Sequence, residues 1–370
     1  MSAVAPYRFY AAEISYFSGK VRPMFRYKGI PYEEILPTPQ AFREVILART
    51  GLAFIPVVVT PDDVALQDTS EILDELERRF PDPPVYPPTP VQRIVAYLIE
   101  VYADEFGPLP AMHYRWGFPE SEAKARIDFA AANGDPEAAG RFADRMKGAL
   151  PFLGVGPASA PGIEAHTRDL LDALSRHFAA HDYLLGSRMS LGDLALLGPL
   201  YAHLYLDVVP GRLLRETAPA VCAWIERMNH PVPRAGSFVA GDALPPTLRP
   251  LLELIGRDAV PLLLDNLRAF DDWADTRPAG TTEPPRGVGS HETQLRGARF
   301  PRMTSPYTLW MVQRPWDAYA ALDGEERAAV DRALAGTGLE ALLAFRPRHR
   351  LGKRRFKLIF EPRTRSTPAS

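Results

Sequence analysis

The spacing of apolar residues changes period several times in the first eighty positions. Tyr7-Arg8-Phe9-Tyr10-Ala11-Ala12 reads as a strand. Ser18 to Gly29 then sets Val21, Met24, Phe25 and Lys28 three and four apart, which predicts a helix stopped by its glycine. Tyr32 to Leu36 predicts a second strand and Pro39 to Arg49 a second helix. In Phe54-Ile55-Pro56-Val57-Val58-Val59 a proline opens a β-branched run. It has no amide to give a ladder, so it belongs at the first residue of a strand (here Ile55 to Thr60) and is often cis. Pro61-Asp62-Asp63 predicts a hairpin turn and Ala65-Leu66 the return strand. A last helix, Thr69 to Phe80, has Ile72, Leu73 and Leu76 on one face and the pair Asp68-Thr69 at its start.

Between residues 81 and 90 the pattern breaks: six of ten positions are proline, which makes a stiff extended connector. Helical periodicity resumes at Val91, with Ile94, Val95, Leu98, Tyr102 and Phe106 on one face. Gly107-Pro108-Leu109-Pro110 interrupts it, ahead of an aromatic cluster of His113, Tyr114, Trp116 and Phe118. Further helices are predicted over 120–132, 136–150 and 163–181. Ser190 three residues before Asp193 forms a capping-box pattern ahead of an apolar helix, with Met189 placed as a staple. A helix through Trp224 ends before Pro231. Beyond it, 248–255, 259–273, 307–322 and 324–334 read as helical, and Arg354–Phe360 alternates like a strand. Residues 276–302 show no period and read as a loop or arm. The basic run 346–365 reads as a solvated, partly disordered tail or as a site for a polyanion.

Composition narrows the class. A chain of 370 residues is long enough for two or three domains, and 46% hydrophobic with 24% charged residues is ordinary for a globular protein. A net charge of −2 gives no general attraction for nucleic acid or an anionic membrane, and no apolar run is long enough to span a bilayer. The opening residues lack the pattern of a signal peptide, and the single cysteine suits a cytoplasmic protein. Cys222, alone in an apolar helical stretch, reads as a buried structural thiol, and without Cys-x-x-Cys no thioredoxin-type disulfide exchange is available. There is no P-loop and no Gly-x-Gly-x-x-Gly. His291-Glu292 lacks the second histidine of a zinc helix, so no metal is expected.

The β-α-β-α-β-β-α order, Pro56, the Asp68-Thr69 pair and the Ser190/Asp193 motif together resemble the glutathione transferases over residues 7 to 232. The resemblance implies an α/β thioredoxin-like N-terminal domain (1–80), the proline-rich linker (81–90) and an all-α glutathione transferase C-terminal domain (91–240). A mostly helical C-terminal extension (241–370) exceeds the family's usual length. It also implies a homodimer that uses glutathione as co-substrate. Its thiolate would be added to a small hydrophobic electrophile, or used transiently in isomerisation.

Site residues follow from the same resemblance. In serine-type members the catalytic serine precedes the Val-Arg of the first helix by about six residues, which designates Ser15. Tyr16 is an alternative donor, and Ser18 is either the helix N-cap or a third candidate. Glutathione would pair with the Ile55 backbone, shaped by Pro56, and place its γ-glutamyl end at Asp68 and Thr69, with Gln67 contributing or closing the strand. Arg43 or Arg49 would meet the glycine carboxylate. The electrophile pocket would be lined by Phe17, Tyr102, Phe106, His113, Tyr114 and Trp116, although aromatic residues at helical spacing also serve as core. A rival reading keeps the fold without turnover, as a binding scaffold or a carrier of apolar ligands.

Overall fold

A computed structural model describes residues 5–232 and 236–362. Strand β1 (Tyr7–Tyr10) leads into α1 (Tyr16–Tyr27) and β2 (Tyr32–Ile35), and then β3 (Val57–Val59), β4 (Ala65–Gln67) and α2 (Thr69–Arg79) follow. The sheet order is β2-β1-β3-β4, with β1 and β2 parallel and the other pairs antiparallel. This is the thioredoxin-like arrangement expected of the first domain. Alternation along the strands gives the sheet two apolar faces. Phe9 and Val58 meet Val21, Phe25, Ile72 and Leu76 on one side. Tyr10, Val57 and Val59 enclose Ile46 on the other. Each such side chain contributes roughly 1.5–3 kcal/mol by burial. The Ile55–Pro56 bond is cis.

Helix α1 starts earlier than its apolar spacing suggests. Ser15 is the N-cap, with extended backbone, and its Oγ accepts the Ser18 amide at 3.3 Å. Ser18 sits inside the first turn. The second helix also differs: Pro39–Ala41 and Ala48–Thr50 flank a π-helical stretch, Phe42–Leu47.

The helical region begins with α3 (Pro90–Val101). Its continuation is not broken at Gly107-Pro110. A π-helical turn, Tyr102–Phe106, carries the chain into α4 (Pro108–Trp116), with the Gly107 amide donating to the Tyr102 carbonyl at 3.0 Å. Pro108 and Pro110 lie in the first turn of α4, where no intrahelical donor is needed. Then come α5 (Pro119–Asn133), α6 (Pro136–Gly148), α7 (Ala160–Phe178), α8 (Leu191–Pro199), α9 (Val208–Thr217) and α10 (Pro219–Asn229). The capping box at α8 is present, and buried Asp193 also accepts from the Leu184 amide at 3.0 Å and the Trp224 indole at 3.1 Å. Cys222 is half-buried rather than fully enclosed, and burial pushes its thiol pKa up.

The extension packs back on this body. Helices α11 (Arg249–Asp258) and α12 (Val260–Thr276) precede a hairpin, β5 (Ser290–Leu295) and β6 (Ala298–Met303). The segment expected as a loop therefore holds two strands. Its two-residue turn, Arg296-Gly297, has both φ angles positive (54° and 85°), as such hairpins require. Helix α13 (Pro306–Ala320) lies along α3, α14 (Gly324–Leu334) follows, and the expected basic tail folds as hairpin β7 (Leu351–Arg354) and β8 (Lys357–Phe360). Residues 363–365 of that basic run lie outside the described residues.

His177 ties the last turn of α7 to two loops. Its Nδ1 pairs with the Thr247 hydroxyl at 3.0 Å and its Nε2 with the Tyr183 carbonyl at 3.2 Å, which suits a neutral ring. Burial lowers its pKa to about 4. The unfolded chain, titrating near 6.5, therefore takes up the proton first as pH falls. Stability is fully present above about pH 6.5 and declines from there to about pH 4, by ~3 kcal/mol at most from this group. Denaturant unfolding at pH 7 and pH 5 checks this. His177→Gln should be less stable at pH 7 and show a visibly flatter pH dependence, and equal slopes would contradict the assignment.

Candidate functional site at one end of the sheet

Ser15, Ile55 and the Asp68-Thr69 pair each lie at the end of an element of the first domain. The Ser15 Oγ accepts the Ser18 amide with one lone pair. Its own proton has no acceptor among the described residues and stands at the positive end of α1. Tyr16 is differently engaged. Its hydroxyl donates to the Ala103 carbonyl at 2.5 Å, and burial, then the Asp104 charge, holds its pKa well above the ordinary phenol range. A side chain at Gly107 would put its Cβ 2.3 Å from that hydroxyl, so glycine is required there. Ser18 is fully buried and its Oγ accepts the Ala12 amide at 3.4 Å. Of the three hydroxyls, only that of Ser15 is both half-exposed and free to donate.

Ile55 is half-buried beside buried Pro56, and Gln67 closes β4. Asp68 has φ 81° and ψ 122°, a conformation that costs a non-glycine residue about 1–3 kcal/mol. It turns the carboxylate onto the start of α2, where Oδ1 accepts the Ser70 amide at 3.0 Å. The other oxygen, Oδ2, accepts from the Tyr307 hydroxyl at 2.5 Å and from the Lys353 ammonium at 2.5 Å. Lys353 also lies 3.5 Å from the centre of the Trp310 ring and 3.7 Å from Glu71. Both partners of Oδ2 come from the extension. Thr69 is buried, and its hydroxyl makes no hydrogen bond among the described residues.

Beneath this end of the sheet lies a buried ion cluster. The Lys20 ammonium is 2.8 Å from Glu100 and 2.6 Å from Asp104, and Ser70 Oγ donates to Glu100 at 2.7 Å. Arg314 completes it, 3.2 Å from Glu100 and 2.7 Å from Asp74. Burial alone would lower the Lys20 pKa, but Asp104 and Glu100 reverse that and hold it above the ordinary value. Asp104 is raised, first by burial and then by the charge of Glu100 despite Lys20, and its Oδ1 is an orphaned buried acceptor. Thr308 donates to neighbouring Glu105.

Most of the residues expected to line an electrophile pocket are buried against protein partners. Tyr102 and Phe106 are 2% and 0% exposed and stack on each other at 5.5 Å. The Tyr102 hydroxyl pairs with His166 Nε2 at 2.8 Å, and His166 Nδ1 with Asp258 at 2.8 Å. Trp116 is buried and stacks on Phe129. His113 pairs with Glu164 at 3.2 Å and burial lowers its pKa, while Tyr114 stacks on Phe118. Phe17, half-buried beside Tyr16, is the expected pocket residue nearest the Ser15 end. Arg49 is committed to Asp63 at 2.9 Å, whereas Arg286 from the extension stacks on Phe54 at 4.1 Å, next to Ile55. Sequence reasoning offers the segment Tyr307–Trp316 as a cover for the acceptor cleft or a docking face, and Tyr307 does reach Asp68. Lys20, Arg286 and Lys353 carry no such signal in the sequence.

Among the described residues, no group of His, Cys, Asp and Glu could hold a metal ion, and no helix is long and apolar enough to cross a membrane.

Comparison with known proteins bears on the fold and on the two domains. Residues 9–84 match the family model of the glutathione S-transferase N-terminal domain, and residues 163–231 that of the C-terminal domain. Each match is to one domain of that family, and the two together span residues 9–84 and 163–231 of this chain. A stringent starvation protein A homolog of Haemophilus ducreyi is 36% identical over 77 residues, which spans 21% of this chain and 36% of that protein. Among solved structures, a glutathione S-transferase from Rhodospirillum rubrum is 19% identical with a TM-score of 0.42, covering 66% of this chain and 91% of its own. Beta-etherase LigF from Sphingobium sp. is 17% identical with a TM-score of 0.44, covering 67% and 99%. These structures span much of the chain but leave about a third of it unmatched.

Proposed function

We propose that this glutathione S-transferase-like chain binds glutathione beside Ile55, at the end of β3, and uses its thiolate on a small apolar electrophile. The observation that carries the reading is the state of Ser15. It caps α1 by accepting, keeps its proton for an outside acceptor, and stands at a helix N-terminus. A thiol of pKa about 8.5 there would gain a hydrogen bond and a fixed positive field. One to two pKa units, about 1.4 kcal/mol each, suffice to ionise it near neutral pH. The Ile55 backbone would pair with the cysteinyl unit, and Asp68 and Thr69 would receive the γ-glutamyl end. Arg286, stacked on Phe54 next to Ile55, would meet the glycine carboxylate in place of Arg49, which pairs with Asp63.

A second reading has its own support. Asp68 is already paired with Lys353 and Tyr307, which favours a scaffold that keeps the fold without turnover. Calorimetry of glutathione binding at neutral pH, in buffers of differing ionisation enthalpy, separates the two. The enzyme reading expects binding at millimolar concentration or tighter with net proton release. Absence of binding at that concentration would leave the scaffold.

A further inference from the structure

We propose that Lys353 is an in-cis occupant of the ammonium subsite at Asp68 and sets which ligand the groove accepts, favouring one that lacks a free α-amine. The inference rests on the glutathione-binding reading above and concerns the selectivity of that same site.

Asp68 Oδ2 is the acceptor that faces away from the capping bond, and it is where a ligand ammonium would dock. The Lys353 Nζ sits there at 2.5 Å, and the Tyr307 hydroxyl shares the same oxygen at 2.5 Å. The remaining neighbours of the ammonium fit its charge. The Trp310 ring lies 3.5 Å below it, Tyr307 is 5.5 Å away and Glu71 is at 3.7 Å. The side chain is 9% exposed and that of Asp68 6%. This is a built ammonium site, filled by the chain itself.

The lysine is held there by its hairpin. At Leu351 the amide and carbonyl bond the Gln313 side chain of α13 at 2.9 and 2.7 Å, and Arg350 pairs with Asp317 of the same helix at 2.7 Å. Competition is therefore intramolecular, and a tethered ammonium acts at a high effective concentration. An incoming α-ammonium exchanges one cation for another at Asp68 and gains little. An incoming α-carboxylate meets no such rival and has the lysine charge beside it.

The test compares two ligands: glutathione, and its deamino analogue γ-glutaryl-cysteinylglycine, which keeps every carboxylate and loses only the amine. Calorimetric affinities are measured on the full chain, on Lys353→Met, which keeps the stem on Trp310, and on Lys353→Arg, which keeps the charge. The wild type should bind the analogue as well as glutathione or better. Lys353→Met should shift the preference toward glutathione by about tenfold or more, the scale of one charge-assisted hydrogen bond. Lys353→Arg should keep the wild-type preference. Both ligands binding with a ratio unchanged in Lys353→Met would overturn the proposal and leave the glutathione reading intact. Equal weakening of both would make Lys353 a ligand contact and overturn it too. No binding of either ligand to any of the three proteins would refute the glutathione reading, and this inference with it.

Discussion

Ser15→Ala is expected to lower kcat/KM toward an electrophile by roughly 10²–10³, the loss that accompanies removal of one donor aimed at a reacting anion. The hydroxyl has two jobs, and they separate experimentally. As the N-cap of α1 it accepts the Ser18 amide, a bond whose loss costs about 1 kcal/mol of stability. As a donor it would hold the sulfur. A protein that only lost its cap would melt slightly earlier and turn over normally once folded. Ser15→Thr keeps both functions and should retain most activity. Tyr16→Phe is the control. Its hydroxyl already serves the Ala103 carbonyl, so the variant should lose stability and little rate. A Tyr16→Phe loss equal to that of Ser15→Ala would move the sulfur contact to the tyrosine.

Lys20→Met should carry the largest stability cost in the first domain, about 3–5 kcal/mol by denaturant unfolding at neutral pH. Its ammonium stands between Glu100 and Asp104, all three side chains at most 1% exposed. Removing it leaves two buried carboxylates with Arg314 alone to offset them. The cost comes from the uncompensated acids and not from the lost attraction. Lys20→Met combined with Glu100→Gln and Asp104→Asn should therefore recover more than half of the loss. A single-variant loss below about 1 kcal/mol, or a triple variant worse than the single, would contradict this account. The cluster also bears on the site, because Ser70 donates to Glu100 while its amide caps onto Asp68.

What could be read from sequence follows from how local each signal is. The strands and helices of the first eighty residues come from period changes within single segments, and the capping box at Ser190 and Asp193 lies within four residues. Asp68 is legible as a helix cap because capping is itself a local act. The start of α1 is not legible in the sequence because an N-cap is set by backbone angles, and three hydroxyl residues, Ser15, Tyr16 and Ser18, compete within one turn. Hairpin β5–β6 escaped notice because its turn is Arg296-Gly297 and its strands carry polar residues on both faces. The expected pocket residues are ambiguous for a different reason: aromatic spacing on a helix does not say whether the face meets a ligand or another helix. For Tyr102 and Phe106 it meets His166. Lys353 was beyond reach altogether. It lies 285 positions from Asp68, inside a basic run whose composition suggests solvent.

The central claim is that bound glutathione is held as an activated thiolate by Ser15. The most direct measurement is the ultraviolet absorbance of the thiolate, followed from pH 5 to 9 with glutathione bound to the wild type and to Ser15→Ala. The account predicts a wild-type midpoint about one to two units below the free thiol value of about 8.5, moving back toward it in the variant. A bound thiol that titrates like the free one in both proteins would contradict it.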